Sequence, residues 1–187
     1  MQKRDEWKAN QKNLPINRLV FLDESGVNTG MTRLYGRADS SQRVKEAIPD
    51  TRFHRTTIVS SMRLDGTIVP VVFSGALDGD MFRKYIEQML VPTLSSGDIV
   101  IMDNLSSHKV QGITEAVQKA GATILFLPPY SPDLNPIELM WSKLKAILRK
   151  LKIRTAELLP DAIASAFDSI SVSDIASWFQ HDGYALC

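Results

Sequence analysis

Five short apolar runs stand out along the chain, and two of them end in an acid. Arg18–Asp23 (RLVFLD) and Asp98–Asp103 (DIVIMD) have the pattern of buried strands. Thr56–Leu64 and Thr67–Phe73 are rich in β-formers and flank Asp65-Gly66, which predicts a hairpin. Thr123–Leu127 predicts a further strand, stopped by Pro128-Pro129. Between these runs the period changes. Asp78–Leu94 sets Met81, Phe82, Tyr85, Ile86, Met89 and Leu90 at helical spacing. Val110–Ala120 predicts a helix closed by Gly121, and Asn135–Leu151 and Thr155–Ile170 predict two more, with a short helical tail near Ser173–Gln180. Residues 1–13 predict a solvated arm or short helix. Residues 24–55 lack clear periodicity, with a hairpin expected around Leu34–Ala47. The order predicts an α/β fold: three antiparallel strands continued by parallel ones in a mixed sheet, flanked by helices.

Composition narrows the class. The chain has 187 residues, 44% hydrophobic and 23% charged, which suits one domain with its own core and excludes a mainly disordered, collagen-like or coiled-coil chain. The stretch Ile68–Leu77 is broken by Pro70, Ser74 and Gly75 and falls short of the ~18 residues of a membrane helix. The start, MQKRDEWKANQKN, has no apolar core that could act as a secretory signal. The single cysteine, Cys187, leaves no intrachain disulfide and no cysteine-based zinc site, so a reducing cytosol is the expected compartment. The net charge of +1 hides a segregation. Residues 139–154 carry Lys143, Lys145, Arg149, Lys150, Lys152 and Arg154 and no acid, whereas residues 155–187 carry five acids and no Lys or Arg. Such a strip suits a polyanion on one face, or simply a solvated helix face.

Three acids stand where chemistry is expected. Sites in open α/β sheets form outside the carboxyl ends of strands, and Asp23 and Asp103 each follow a predicted strand. In Leu127–Lys145 (LPPYSPDLNPIELMWSKLK), Asn135 reads as a helix N-cap, Pro136 as the first helical position and Glu138 as a first-turn residue. Three carboxylates so placed can converge to hold hard divalent cations. Each also has a local reading: Asp23 and Asp103 as turn caps, Glu138 as the partner of Asn135 in a capping box. Glu24 rivals Asp23 but points to the opposite face if the strand continues. Asp133 rivals Glu138 but reads as a turn residue.

FLDESG (Phe21–Gly26), IVIMDNLSSHK (Ile99–Lys109) and the proline-rich segment above resemble the catalytic domain of the mariner superfamily of cut-and-paste transposases, in its bacterial insertion-sequence branch. TRLYGRA (Thr32–Ala38) and WFQHDGY (Trp178–Tyr184) are similar to that branch too, and 34 residues lie between Asp103 and Glu138, as in its third-acid spacing. The resemblance implies a ribonuclease H-like fold and a triad of Asp23, Asp103 and Glu138. That triad would hold two Mg²⁺, with Mn²⁺ as substitute, the first Asp bridging both ions. It implies DNA cleavage at element ends and transfer of the 3′-hydroxyl into target DNA, insertion at TA dinucleotides and a homodimer in the active complex. Full-length relatives carry helix-turn-helix domains upstream, whereas Met1 here precedes Asp23 by 22 residues. The expectation is therefore a polar arm at 1–17 and a catalytic domain at 18–187, with an upstream helix-turn-helix polypeptide as a further partner. A nuclease of the same fold, or a non-catalytic DNA-binding module, are the alternative functions.

Around the triad, Lys145 lies seven residues after Glu138, on the same helical face. It and Arg149, with Lys143, Lys109 and His108, are the expected nucleic-acid contacts. Asn104 and Asn135 are the expected supports of the acids. Tyr130 could stack on a base or pack on the proline loop, packing being the expectation, and Trp141 is expected in the core.

Overall fold

The computed structural model describes residues 2–33, 35–45, 47, 53–104 and 112–184. Five strands form one sheet in the order β3-β2-β1-β4-β5. These are β1 (Leu19–Asn28), β2 (Arg55–Arg63), β3 (Ile68–Ser74), β4 (Ile99–Met102) and β5 (Thr123–Phe126). β1 runs antiparallel to β2, from Val20 opposite Arg63 to Asn28 opposite Arg55. It runs parallel to β4 only from Leu19 beside Ile99 to Phe21 beside Ile101. β2–β3 is antiparallel and β4–β5 parallel, as the hydrophobic pattern predicts. Gly66, at φ +97°, closes the β2–β3 turn in a conformation that a side chain would oppose.

Strand alternation divides the core in two. Leu19, Phe21, Val27, Ile58, Met62 and Ile101 face helices α4 (Ile137–Leu151), α5 (Leu159–Asp168) and α6 (Val172–His181). Val20, Leu22, Val59, Val100 and Met102 face α2 (Gly79–Tyr85) and α3 (Ile113–Lys119). The α4 side is tied together by edge-on aromatic pairs of Phe21 with Phe179 and Tyr184, at 5.2 and 5.0 Å. The Tyr184 hydroxyl donates to the Leu134 carbonyl at 2.8 Å, so the closing WFQHDGY segment anchors the loop that leads into α4.

Several expected boundaries move. β1 continues five residues past Asp23, because Glu24–Asn28 pair with β2 through backbone groups that apolar spacing does not report. No strand falls among the described residues of 29–54, so the expected hairpin there is absent from them. The helix expected over 78–94 begins at α2 under an Asp78 side-chain cap. It then widens to a π-turn at Ile86–Leu90 and tightens to a 3₁₀ turn at Val91–Thr93, where Pro92 brings no amide hydrogen. α5 starts four residues later than expected, with Pro160 in its first turn, where a missing donor costs nothing. The first residues form the short helix α1 (Gln2–Gln11), one of the two forms expected there, and it is docked: Gln11 Nε2 donates to the Asp182 carbonyl at 3.1 Å and Trp7 packs on the core. Among the described residues no helix is long and apolar enough to cross a membrane.

Candidate active site

The parallel ladder between β1 and β4 ends at Phe21 and Ile101. Asp23 and Asp103 each lie two residues beyond that pair, so the alternation that sends Phe21 and Ile101 toward α4 sends both acids the same way. Glu24, one residue on, belongs to the opposite face. Asp23, Asp103 and Glu138, the last in the first turn of α4, line one hollow of about 430 Å³ whose other wall is Leu127–Pro132.

The three acids are not alike electrostatically. Asp23 is only 7% exposed. Burial, and after it the negative charge of Glu138, pushes its carboxyl up to about 8, with Asp103 acting the same way and a hydrogen bond from the Glu24 backbone opposing. Its Oδ2 accepts a hydrogen bond from Trp141 Nε1 at 3.1 Å. Glu138 is exposed as a residue, yet its carboxyl lies against enough protein for burial to raise its pKa; Lys145 pulls it down and Asp103 pushes it up. Among the described residues no three carboxylate or imidazole groups are already gathered at metal-ligand spacing.

Asn135 corrects the capping expectation. Its backbone is extended at φ −122° and ψ 89°, but its Oδ1 accepts no hydrogen bond and is buried at 3% exposure, in the wall of the hollow. The capping box between Asn135 and Glu138 therefore does not form. Asp133 is also removed as a rival: both its carboxylate oxygens accept from Arg4, at 2.9 and 2.7 Å, outside the hollow. Asn104 lines the hollow.

The basic strip divides. Lys145 stands within electrostatic reach of Glu138, and Arg149 follows one turn on. Lys143 is engaged within the fold: its Nζ donates to Asp174 at 2.7 Å and to the Ser169 carbonyl at 3.0 Å, tying α4 to α6. Arg154 donates to the carbonyls of Thr29 and Met31. His108 and Lys109 lie outside the described residues. Tyr130 overturns the packing expectation, with its residue 98% exposed. Trp141 is in the core as expected; its link to Asp23 was missed, although its i+3 spacing from Glu138 put it on the same helix face.

Residues 18–159 match a family described as DDE superfamily endonuclease. The fold is similar to a pre-cleavage Mos1 transpososome, at 13% identity and TM-score 0.76 over 96% of this chain and 57% of that one. It is similar to a mariner Mos1 paired end complex with Mg, at 16% identity and TM-score 0.72 over 97% of this chain and 58% of that one. With the catalytic domain of Mos1 mariner transposase the values are 12%, 0.65, 96% and 87%. The chain thus spans little more than half of the first two and most of the third. No curated protein matches it. The expected ribonuclease H-like arrangement is borne out.

Proposed function

Because this chain belongs to the DDE superfamily endonuclease family, we propose that residues 18–187 are the catalytic domain of a mariner-type transposase that cuts DNA at element ends and joins the freed 3′-hydroxyl to a target. The observation that carries this reading is the meeting of Asp23, Asp103 and Glu138, from three separate segments, in one hollow where Asp23 is buried beside like charge. A fold that needed these acids only as turn caps would have no reason to bring them together.

The donor set fits hard divalent cations. It offers carboxylate oxygens and the buried, unpartnered Oδ1 of Asn135, with no sulfur or imidazole among the described residues that line it. Asp23, Asp103 and Glu138 would together hold two Mg²⁺, or Mn²⁺ in their place. When bound, the ions supply activation of the attacking oxygen and stabilisation of the leaving 3′-oxygen. The chain's own residues supply position. Trp141 Nε1 fixes the direction of the Asp23 carboxylate. Lys145 and Arg149 lead the phosphates of a strand toward the hollow, with His108 and Lys109 as further contacts, and Asn104 and Asn135 orient the acids. The Mos1 complex with Mg supports a divalent cation, and the transpososome supports DNA as partner. A homodimeric active complex, a helix-turn-helix polypeptide upstream and a cytosolic location belong to the same reading.

The test uses the whole chain with Mn²⁺, supercoiled plasmid and an oligonucleotide ending in a free 3′-hydroxyl. Nicking and joining are both expected. Asp103→Asn and Glu138→Gln should each fold and lose both activities by ~10³-fold or more, about 4 kcal/mol of barrier. Cleavage that survives in both variants would remove the acids from the mechanism. Nicking without joining would reduce the protein to a nuclease of the same fold.

A further inference from the structure

Tyr130 stands on the rim of the acid hollow with its residue 98% exposed, and its backbone is held at φ +54°. For a residue with a side chain this left-handed conformation is unfavourable and persists only where its surroundings impose it. The surroundings here are explicit. Arg4 Nη1 donates to the Tyr130 carbonyl at 3.0 Å, to Ser131 Oγ at 2.9 Å and to Asp133 Oδ1 at 2.9 Å, and its Nη2 donates to Asp133 Oδ2 at 2.7 Å. Pro129 and Pro132 limit the loop on either side. The fold thus spends four hydrogen bonds and a strained residue to hold an aromatic ring in solvent. Tyr130 lines the acid hollow and also a second hollow of about 370 Å³, shared with Lys3, Arg4 and the two prolines before Tyr130. An exposed ring common to an acid hollow for a phosphodiester and a recess lined by Lys3 and Arg4 suits a nucleic-acid strand better than a protein surface.

We infer that Tyr130 is a stacking platform for an unpaired nucleobase of the strand whose phosphodiester enters the acid hollow, and that Arg4 is the positioning residue that keeps the ring in place. This rests on the endonuclease reading above and adds a base contact to it. Stacking on an aromatic ring tolerates any base, so the contact favours unpaired over paired DNA rather than one sequence over another.

The probe is a short single strand with one 2-aminopurine, whose fluorescence falls when the base stacks. The whole chain is titrated against it with Ca²⁺, alongside Tyr130→Phe, Tyr130→Ala and Arg4→Ala, each checked for folding by its melt. The parent and Tyr130→Phe should quench alike. Tyr130→Ala should lose the quench and bind roughly 5- to 100-fold more weakly, with an unchanged salt slope because the phosphate contacts remain. Arg4→Ala should weaken the quench with the ring still present. Equal quenching by Tyr130→Ala, or a Tyr130→Phe variant that behaves like it, overturns the inference. Mn²⁺-dependent nicking by the parent is scored separately: nicking without a Tyr130-dependent quench sinks the platform alone, and a Tyr130-dependent quench without nicking sinks the endonuclease reading alone.

Discussion

Asp98 and Asp23 are both buried, at 1% and 7% exposure, and they stand beyond opposite ends of the parallel ladder between β1 and β4. Asp98, just before β4, is surrounded by donors. Its Oδ2 accepts from Arg63 Nη2 and from the Ser95 amide, both at 2.7 Å, and Arg18 lies 3.7 Å from its Oδ1. Burial alone would raise its pKa, but the Arg63 and Ser95 hydrogen bonds and the two arginine charges hold it below the ordinary value. Asp23 has one indole and one backbone donor and faces two more acids, and it is pushed up to about 8. The residue type is the same and both are closed to solvent, but more protein surrounds the Asp23 carboxyl and the partners differ in sign. A buried acid paired with cations belongs to the scaffold. A buried acid left among acids belongs to a site that expects charge from outside.

The widest expected difference is in pH dependence without metal. Asp23 has a folded-state pKa above its unfolded one, so between about pH 4 and pH 8 the folded chain holds a proton that the unfolded chain has released. Stability should therefore fall as pH rises through that window, by several kcal/mol spread over the coupled carboxyls. Asp23→Asn should flatten this limb, and Mn²⁺ should restore stability at pH 8 in the parent but much less in Asp103→Asn. Melts from pH 4 to 9 with and without chelator check this. A parent as stable at pH 8 as at pH 5 without metal would erase the contrast between the two aspartates.

Asp98 predicts the opposite limb. Its depressed pKa contributes stability that is present above about pH 4 and lost as the pH falls through the folded value. Asp98→Ala leaves the mostly buried Arg63 guanidinium without its carboxylate, and should cost about 3 kcal/mol at neutral pH. The variant should still show the Mn²⁺ response in its melts. Loss of that response in a folded Asp98→Ala protein would mean that the two ends of the sheet are coupled.

The strands were legible because apolar runs between turn signals report burial directly, and Asp23 and Asp103 could be found because each follows such a run. Glu138 came from the turn chemistry around Pro136 and from the family resemblance. Roles that depend on partners distant in sequence were not legible. Nothing local says that Lys143 would be taken by Asp174 or Arg154 by the carbonyls of Thr29 and Met31, so the strip read as more uniform than it is. Asn135 looked like a cap by residue type, but its side chain is buried with the Oδ1 unpartnered. Arg4 lies 126 residues from the Tyr130 carbonyl it holds, beyond any periodicity argument.

Trp141 gives the smallest and sharpest test, because it belongs to both worlds: its body is core and its Nε1 touches the site. The ring packs edge-on against Phe167 at 6.3 Å, while the indole N–H donates to Asp23 Oδ2. Trp141→Phe keeps an aromatic body and removes the donor. A purely packing role predicts the same loss of stability at every pH. A positioning role predicts more, because losing a donor to the charged carboxylate raises the Asp23 pKa further and deepens the alkaline limb. The loss relative to the parent should then be about 1 kcal/mol greater at pH 9 than at pH 5 in chelator, the size of one net hydrogen bond. A loss that is flat with pH would return Trp141 to the core alone and leave Asp23 held only by its own strand.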